Sequence, residues 1–186
     1  MIKRFTPLTA LAILLCISSF PLAQTDIHYA ELPNFHQVNA NLFRGGQPKA
    51  HGLERLKKLG IKTIINLRDD DERARRETAA AKAAGFTYFN IPLASFGRPT
   101  NKTVDRILEL INNPENQPVF VHCSRGADRT GTIIAIYRIE HDGWSSEKAK
   151  AEAKSFGLGF WQVQMKDYIH DRYDRRRQEA ESSSPQ

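Results

Sequence analysis

The chain contains the sequence HCSRGADRTG at residues 122–131, between two apolar runs. The run at residues 118–121 is short, rich in β-branched residues and begins at a proline, which predicts a buried strand. The run at residues 132–137 has the length and spacing of a helix. A loop from the end of a strand to the start of a helix points backbone N–H groups at one spot, beside the positive end of the helix dipole. The sequence therefore predicts an anion-binding concavity here.

Two side chains bracket this loop, since Cys123 opens it and Arg129 closes it with five residues between them. In the positive field of the loop we expect the thiol to ionise well below its free pKa of about 8.5, so that it is a thiolate near neutral pH. The planar guanidinium of Arg129 matches two oxygens of a tetrahedral anion. A nucleophile, an anion cradle and a guanidinium clamp together indicate phosphoryl transfer to sulfur.

The loop resembles the signature of the cysteine-based protein tyrosine phosphatase superfamily, in which His-Cys is followed by five residues, an arginine, and serine or threonine. The resemblance extends over residues 41–160. It includes LFR at residues 42–44, GQP at 46–48, RDDD at 68–71 and GW at 143–144, which are similar to the small dual-specificity phosphatases of bacteria. It implies a phosphatase-like fold and hydrolysis of phosphomonoesters through a phosphocysteine.

This resemblance implies a role for each residue of the loop. Cys123 attacks phosphorus, Arg129 stabilises the charge of the transition state, and Thr130 donates a hydrogen bond to the thiolate as it leaves. His122 braces the loop and is not the base. Gly126 permits a backbone twist that a larger residue resists. The phosphate oxygens are expected to bind the backbone N–H groups of Ser124, Arg125, Gly126, Ala127, Asp128 and Arg129.

The general acid is missing from the place where most of the superfamily carries it. That place is the loop after the preceding strand, but residues 92–99 read PLASFGRP and contain no carboxylate. Asp128 stands directly before Arg129, as an Asp does in the myotubularins and the mycobacterial triple-specificity phosphatases, where it is thought to protonate the leaving oxygen. The resemblance makes Asp128 the predicted acid. The alternatives are that Asp128 only braces the loop and that Asp105 or water supplies the proton.

Other polar residues are further candidates for contacts with substrate or water. Arg125 and Arg98 are predicted second anion contacts, because lipid- and inositol-directed members of the superfamily use extra basic residues. Gln162 and Gln164 are candidates for positioning the hydrolytic water, although helix polarity explains them equally well. The acidic residues 69–72 stand at a predicted helix start and are interpreted as partners of the helix dipole, not as a metal site. The chemistry needs no metal and no cofactor.

The N-terminal residues form a separate segment. A basic start precedes an apolar stretch at residues 8–20 and the small residue Ala23, a pattern typical of a secretory signal peptide. We predict a signal peptide at residues 1–23 and export to the periplasm. An uncleaved inner-membrane anchor is the alternative, although the apolar run is short for a membrane span. Loss of residues 1–23 leaves Cys123 as the only cysteine, which excludes an internal disulfide.

The rest of the chain predicts one phosphatase domain at residues 24–178 and a disordered polar tail at 179–186. Residues 24–38 are expected to be extended and loosely packed. The expected strands lie at residues 41–44, 61–67, 86–91 and 118–122, and the expected helices at 48–59, 71–84, 100–112, 130–142, 145–155 and 160–178. This alternation predicts an α/β fold with a central, mostly parallel sheet and helices on both faces.

Composition narrows the classes of partner. The formal net charge is +6, a mild basic excess that suits anionic substrates or a position near a membrane surface. It does not form the concentrated basic patch of a nucleic-acid-binding protein. The arginines at positions 172 and 175–177 are interleaved with acids, which indicates a solvated helix face. We expect a monomer.

The sequence leaves three functions open. The leading one is a dual-specificity-type phosphatase acting on phosphotyrosine, phosphoserine or phosphothreonine, or on phosphoinositides or inositol phosphates. A phosphate-binding pseudophosphatase is the second; the acid-free loop favours it, and the complete set of Cys123, Arg129 and Thr130 disfavours it. A rhodanese-like sulfurtransferase is the third, because it also carries a cysteine in an anion-binding loop. The Arg-Thr-Gly closure of the loop disfavours the sulfurtransferase.

Overall fold

The computed structural model describes residues 28–183, which form five strands and six α-helices. The strands are β1 (His36–Asn39), β2 (Leu42–Gly45), β3 (Thr63–Asn66), β4 (Thr87–Asn90) and β5 (Val119–His122). The helices are α1 (Gly52–Lys58), α2 (Glu72–Ala83), α3 (Asn101–Asn112), α4 (Asp128–Glu140), α5 (Ser146–Ser155) and α6 (Val163–Ser183). The predicted signal peptide or anchor at residues 1–23 and the last three residues of the predicted tail lie outside the described residues.

The strands form one sheet in the order β1-β2-β5-β3-β4. Strands β2, β5, β3 and β4 are parallel, and β1 pairs antiparallel with β2 at the edge. The register places His122 at the end of β5, beside Gly45 of β2 and Asn66 of β3. Three parallel strands therefore end together, immediately before the loop at residues 123–127. The prediction of a mostly parallel sheet is confirmed.

The central strand β5 shows why both faces of the sheet are apolar. Val119 and Val121 belong to the core cluster on one face and Phe120 to the cluster on the other, and all three are fully buried. Such a strand is typical of a sheet that is covered on both sides. Helices α3, α4, α5 and α6 supply the core on the valine face, and α1 and α2 cover the phenylalanine face. The predicted two-sided arrangement is confirmed.

Helix α4 fixes the position of the loop that precedes it. All of residues 129–137 are buried, because the helix lies between the sheet and the two helices α5 and α6. A helix that is apolar around its whole circumference is buried by packing against other elements on all sides. The end of β5 and the start of α4 are thus both fixed, and the loop between them is short.

The N-terminal part of the domain differs from its prediction. Residues 24–38 are not loosely packed in their described part, since Leu32 is fully buried in the core cluster that contains α1. The N–H of Lys49 donates to the carbonyl of Glu31 at 2.9 Å, which ties this segment to the chain after β2. The segment then enters the sheet as β1. An antiparallel edge strand of four residues has too few side chains to give a clear alternation in the sequence.

The C-terminal part also differs. The tail predicted to be disordered from residue 179 is helical as far as Ser183, because α6 continues five residues beyond the predicted end. Arg177 and Glu181 form an ion pair at 3.1 Å, one helical turn apart, which supports the helix without any contact to the core. Within residues 28–183, no helix is both long enough and apolar enough to span a membrane.

Candidate active site

The loop at residues 123–127 forms the floor of a cleft of about 290 Å³ at the carboxyl ends of the parallel strands. Ligands of open α/β sheets bind at this edge. The floor comes from the β5–α4 loop, and the walls come from the β4–α3 loop and the segment before α6. The residues that line the cleft are Ser95, Phe96, Cys123, Ser124, Arg125, Asp128, Arg129, Trp161 and Gln162.

Hydrogen bonds on the outer side of the loop set its orientation. The N–H of Gln47 donates to the carbonyl of Ser124 at 3.0 Å, and the side-chain amide of Asn34 donates to the carbonyl of Arg125 at 3.3 Å. In a trans peptide the N–H points opposite to the carbonyl. The N–H groups that follow these carbonyls therefore point towards the cleft. Helix α4 begins at Asp128, two residues earlier than predicted, so the first N–H groups of the helix join them.

A buried arginine lies beneath the loop. The guanidinium of Arg44 donates to the carbonyl of Gly126 at 2.8 Å and stacks on the ring of Phe156 at 4.1 Å. Only 1% of Arg44 is exposed, and this burial lowers its pKa to about 10, although the negative charges of Glu152 and of the Cys123 thiolate act in the opposite direction. A charge inside an apolar strand was the signal in the sequence, but the prediction gave Arg44 no role.

Gly126 is the position in the loop where a side chain cannot fit. Its φ is +73°, in the left-handed region, as the predicted backbone twist requires. A Cβ at this position would lie 2.4 Å from the carbonyl carbon of Gly45 and 2.6 Å from the nitrogen of Gly46. The loop therefore packs directly on the backbone at the end of β2.

Cys123 lies at the floor of the cleft and is 3% exposed. Burial alone raises the pKa of this thiol, but hydrogen bonds from the hydroxyl and N–H of Thr130, the charge of Arg129 and the N–H of Gly126 hold the pKa below its ordinary value. The Thr130 hydroxyl is fully buried, and its interaction with the thiol is the largest of the contributions that lower this pKa. The predicted thiolate therefore has a physical basis in this loop.

Arg129 closes the cleft and is itself largely buried. Its Nη1 donates to the carbonyls of Leu67 and Leu93, each at 3.4 Å, and lies 3.6 Å from Oδ2 of Asp69. All three contacts use the same nitrogen, which leaves Nε and Nη2 for two oxygens of an anion. Asp69 was predicted to be a partner of the helix dipole and instead faces this guanidinium.

His122 is held at both ring nitrogens on the side of the sheet away from the cleft. Its Nδ1 lies 3.2 Å from the carbonyl of Cys123, and its Nε2 lies 3.0 Å from Oε1 of Glu77. Burial alone raises the pKa of Glu77, but the charge of His122 and hydrogen bonds from His122, Gln47 and Tyr88 hold it below its ordinary value. This geometry fits the predicted bracing role. Glu77 was missed, although an acid on the buried face of α2 was a usable signal.

Asp128 lies on the wall of the cleft with 13% of its side chain exposed. Its Oδ1 accepts a hydrogen bond from the N–H of Gly159 at 2.9 Å, and its Oδ2 lies 2.5 Å from Nη2 of Arg125. The carboxylate thus joins the anion loop to the segment before α6. It shares the cleft with Cys123, so both of its predicted roles, acid and brace, are compatible with its position.

Asp105 lies in another part of the molecule. It does not line the cleft and pairs with Arg172 at 2.6 Å in a charged groove beside α3. Asp105 as proton donor is therefore not supported. Arg172 also pairs with Glu140 at 2.5 Å and is buried, which corrects the prediction that it lies on a solvated helix face.

The two arginines predicted as second anion contacts are placed differently. Arg125 lines the cleft with 61% of its side chain exposed. Arg98 turns towards α6, where it lies 2.5 Å from Asp171 and 4.9 Å above the ring of Tyr168. Arg125 is therefore the candidate that can meet a substrate in the cleft.

The two glutamines also separate. Gln162 lines the cleft, and its amide nitrogen donates to the carbonyl of Ser95 at 3.0 Å, which leaves its side-chain oxygen for a water molecule. Gln164 is exposed and does not line the cleft. The aromatic walls formed by Phe96 and Trp161 were missed, because nothing in the sequence separates a cleft-lining aromatic residue from a core residue.

The acidic run at residues 69–72 begins α2, where Asp71 caps the helix by accepting a hydrogen bond from the N–H of Ala74 at 2.8 Å. Among the residues from 28 to 183, no group of three or more His, Cys, Asp or Glu side chains is arranged to hold a metal ion. The run is thus explained by the helix cap and by the contact between Asp69 and Arg129.

Comparison with known proteins agrees with this geometry. Residues 25–171 match the family described as "DSP-PTPase phosphatase fused to NAD+ Kinase" (PTP-NADK). The chain belongs to this family. Because this is a family of dual-specificity-type phosphatases, the match confirms the family assignment made from the sequence. The mostly parallel sheet with flanking helices is also the fold of the structural neighbours of this chain.

Two relatives place the chain more closely within these phosphatases. The dual specificity protein phosphatase TpbA of Pseudomonas aeruginosa is 29% identical over 127 residues, which cover 68% of this chain and 56% of TpbA. The crystal structure of TpbA superposes with a TM-score of 0.64 at 26% identity, covering 75% of this chain and 84% of that one. The inositol diphosphatase SIW14 of Saccharomyces cerevisiae is 27% identical over 130 residues, 67% of this chain and 46% of SIW14. The chain spans about half the length of these relatives.

Proposed function

We propose that this chain is a phosphomonoesterase of the dual-specificity phosphatase type that works through a phosphocysteine on Cys123. The observation that carries the proposal is the position of the Cys123 sulfur. It lies at the floor of a cleft, its pKa is held below the ordinary value, and it is surrounded by inward N–H groups and the free side of the Arg129 guanidinium. The family and the dual-specificity relative support the same activity.

In the first step the Cys123 thiolate attacks phosphorus. The S–P bond forms, the P–O bond to the leaving group breaks, and the leaving oxygen takes a proton from an acid in the cleft. The loop N–H groups and the fork of Arg129 bind the three equatorial oxygens, where negative charge is spread in the transition state. The loop is held from its outer side before substrate arrives, so little reorganisation is required.

Asp128 is the proposed acid. Its carboxyl lies in the same cleft as Cys123, and the β4–α3 loop contributes Ser95 and Phe96 to the cleft but no carboxylate. In the structure Arg125 forms an ion pair with one oxygen of the Asp128 carboxylate. A dianionic phosphate competes for this exposed guanidinium, and once Arg125 has turned to the phosphate that carboxyl oxygen is open to the leaving group.

In the second step water attacks phosphorus, the S–P bond breaks, and the proton of the water returns to Asp128. Gln162 lines the cleft and uses its amide nitrogen on the carbonyl of Ser95, which makes its side-chain oxygen our candidate for orienting the water. The Thr130 hydroxyl donates to the sulfur as it leaves as a thiolate. The enzyme returns to its starting state without a cofactor.

Hydrolysis of p-nitrophenyl phosphate tests the proposal, with Cys123→Ser as the control. We expect turnover by the wild type and a loss of about 10⁴-fold or more in the variant. Mass spectrometry of acid-quenched wild-type protein should find one phosphoryl group on the peptide that contains Cys123. Phosphate binding without turnover would identify a pseudophosphatase, and sulfur transfer from thiosulfate would identify a rhodanese-like enzyme.

A second class of substrate, inositol phosphates or phosphoinositides, is favoured by one observation. Arg125 presents an exposed guanidinium at the mouth of the cleft, where a second phosphate of a substrate would meet it. The relative SIW14 is named an inositol diphosphatase. Phosphate release from a panel of phosphotyrosine peptides and inositol phosphates compares the two classes, and Arg125→Gln should weaken substrates with two phosphates more than substrates with one.

We further propose that the protein is a monomer exported to the periplasm. The basic start and the short apolar stretch of residues 1–23 support export. Cell fractionation together with mass spectrometry of the mature N-terminus tests it. An N-terminus near residue 24 in the periplasmic fraction is the expected result, and an intact chain in the inner membrane would support the anchor instead. Size-exclusion chromatography tests the monomer.

A further inference from the structure

Large apolar side chains that are exposed gather at one place on the surface. Within residues 28–183 there are four of them: Phe96 (71% exposed), Phe160 (83%), Trp161 (49%) and Val163 (55%). Phe96 and Trp161 line the cleft that contains Cys123, and the other two flank Trp161 in the chain. We call these four residues the apolar rim. Exposed apolar residues that gather beside a catalytic cleft indicate a surface that contacts a substrate or another partner.

The parts of the rim lie at different distances from the chemistry. Trp161 and Phe96 form cleft walls and can contact the group that carries the phosphate. Phe160 packs edge-to-face on Trp161 at 4.9 Å between ring centroids, and with Val163 it lies outside the cleft lining. The ammonium of Lys166 donates to the carbonyl of Phe160 at 2.6 Å, which holds this segment at the start of α6. Phe160 and Val163 are therefore placed to contact the part of a substrate that lies next to the phosphorylated group, outside the cleft.

The charged residues beside the apolar rim indicate whether the rim binds a membrane or a polypeptide. Val163, Asp167 and Asp171 are spaced by four residues and share one exposed face of α6. Arg98 pairs with Asp171, so the surface next to the rim is mixed in charge. Exposed carboxylates beside the apolar residues oppose approach to an anionic bilayer, which would need a basic surround. Apolar residues with a mixed polar border are typical of protein–protein contacts.

We propose that the apolar rim binds an apolar side chain next to the phosphorylated residue of a protein substrate. This inference rests on the proposed phosphatase activity and names its substrate class. The phosphate occupies the anion loop, the phosphorylated side chain passes between Phe96 and Trp161, and a neighbouring apolar side chain covers Phe160 and Val163. Partial burial of two such side chains corresponds to about a tenfold gain in kcat/KM.

Two phosphotyrosine peptides test the proposal, one with leucines on both sides of the phosphotyrosine and one with serines. We expect the wild type to favour the leucine peptide by about tenfold in kcat/KM. The double variant Phe160→Ser, Val163→Ser should lower this ratio to about one and leave p-nitrophenyl phosphate hydrolysis unchanged. The matched variant Phe160→Leu, Val163→Ile keeps the surface apolar and should keep the preference.

Several outcomes would overturn the inference. A wild-type ratio near one, or a double serine variant that keeps the preference, rejects a role of the rim in peptide choice. Sedimentation of the wild type with phosphatidylglycerol vesicles, lost in the double serine variant and accompanied by a peptide ratio near one, would assign the rim to a bilayer.

Failure of the phosphatase activity gives a different result. In that case the wild type hydrolyses neither p-nitrophenyl phosphate nor the peptides. Binding of fluorescein-labelled versions of the two peptides to Cys123→Ser then tests the rim alone, measured by anisotropy. Tighter binding of the leucine peptide, lost when Phe160→Ser and Val163→Ser are added to Cys123→Ser, would support peptide binding by the apolar rim. Equal binding of the two peptides would reject it.

Discussion

The floor and the rim of the cleft are built in different ways. The anion loop of the floor is held by backbone and side-chain donors on three consecutive carbonyls, at Ser124, Arg125 and Gly126. The rim consists of exposed apolar side chains. A part that is fixed before substrate arrives provides transition-state stabilisation for every substrate. An exposed apolar part changes only which substrates bind well. Substitutions in the floor should therefore affect all substrates, and substitutions in the rim only some.

Among the substitutions that test this difference, Arg129→Lys should have the largest effect. It keeps the positive charge beside the anion loop. Lysine retains the positive charge and loses the planar fork. We expect kcat/KM to fall by about 10²–10³-fold for p-nitrophenyl phosphate and for phosphopeptides alike, in steady-state assays of phosphate release. Arg125→Lys at the mouth of the cleft is the matched control and should cost less than about tenfold. A loss that differed widely between substrates would show that Arg129 serves recognition more than chemistry.

Replacement of Asp128 by asparagine tests whether the proton donor lies directly beside the floor, at the start of α4. The variant keeps the shape and the contact with Gly159 but cannot give a proton. We expect hydrolysis of a tyrosyl or alkyl phosphate to fall by about 10²-fold or more, and that of p-nitrophenyl phosphate to fall much less, because its leaving group needs no proton.

Two controls accompany this variant. Asp105→Asn lies outside the cleft and should leave both substrates unaffected. Asp69→Asn removes the ion pair to Arg129 and should affect both substrates to the same modest extent. If Asp128→Asn lowered both substrates equally, Asp128 would be a brace of the loop only.

The same contrast explains what could be predicted from the sequence. The floor is one continuous stretch, so the spacing of Cys123, Arg129 and Thr130 along a strand, loop and helix determines their arrangement locally. The supports of the floor come from far away in the chain, as with Asn34, which lies 91 residues from Arg125. Arg44 and Glu77 likewise reach the loop only through the packing of β2 and α2. Their contacts depend on tertiary structure, which residue patterns do not encode directly.

The walls and the fold boundaries show a second limit. Phe96 and Trp161 look like core residues in the sequence, and only the fold shows that they border a cleft. The parallel direction of most strands was predicted from their alternation with helices, whereas their order in the sheet was not predicted and comes from the structure. The strand β1 did not, because four residues with a weak pattern are fixed by pairing with β2.

An alanine in place of glycine measures how rigid the two sides of the cleft are. Gly126 and Gly97 both have positive φ, which costs an alanine about 1–2 kcal/mol at either site. At Gly126 the new Cβ would also lie 2.4 Å from backbone, whereas at Gly97 the nearest atom is 3.6 Å away and belongs to a side chain. We expect Gly126→Ala to lower the free energy of unfolding by about 3 kcal/mol and Gly97→Ala by about half of that, measured by urea denaturation. Equal losses would mean that the loop yields as easily as the wall.

Replacement of Thr130 by valine has the smallest expected effect and tests the electrostatics of the floor directly. Valine keeps the volume of threonine and removes the hydroxyl that hydrogen-bonds to the sulfur. The pKa of Cys123 in the folded protein is below its ordinary value, so the reactive thiolate persists to lower pH in the wild type. Loss of the hydrogen bond raises this pKa, and the variant should lose its thiolate first as the pH falls.

Alkylation of Cys123 by iodoacetamide across pH measures this shift, with the modified peptide quantified by mass spectrometry. We expect the midpoint to rise by about one pH unit in Thr130→Val, which corresponds to about tenfold less thiolate below the midpoint. Phe160→Ser in the rim should leave the midpoint unchanged, because an exposed apolar side chain outside the cleft lining does not act on the thiol. An unchanged midpoint in Thr130→Val would assign the lowered pKa to Arg129 and the backbone N–H groups alone.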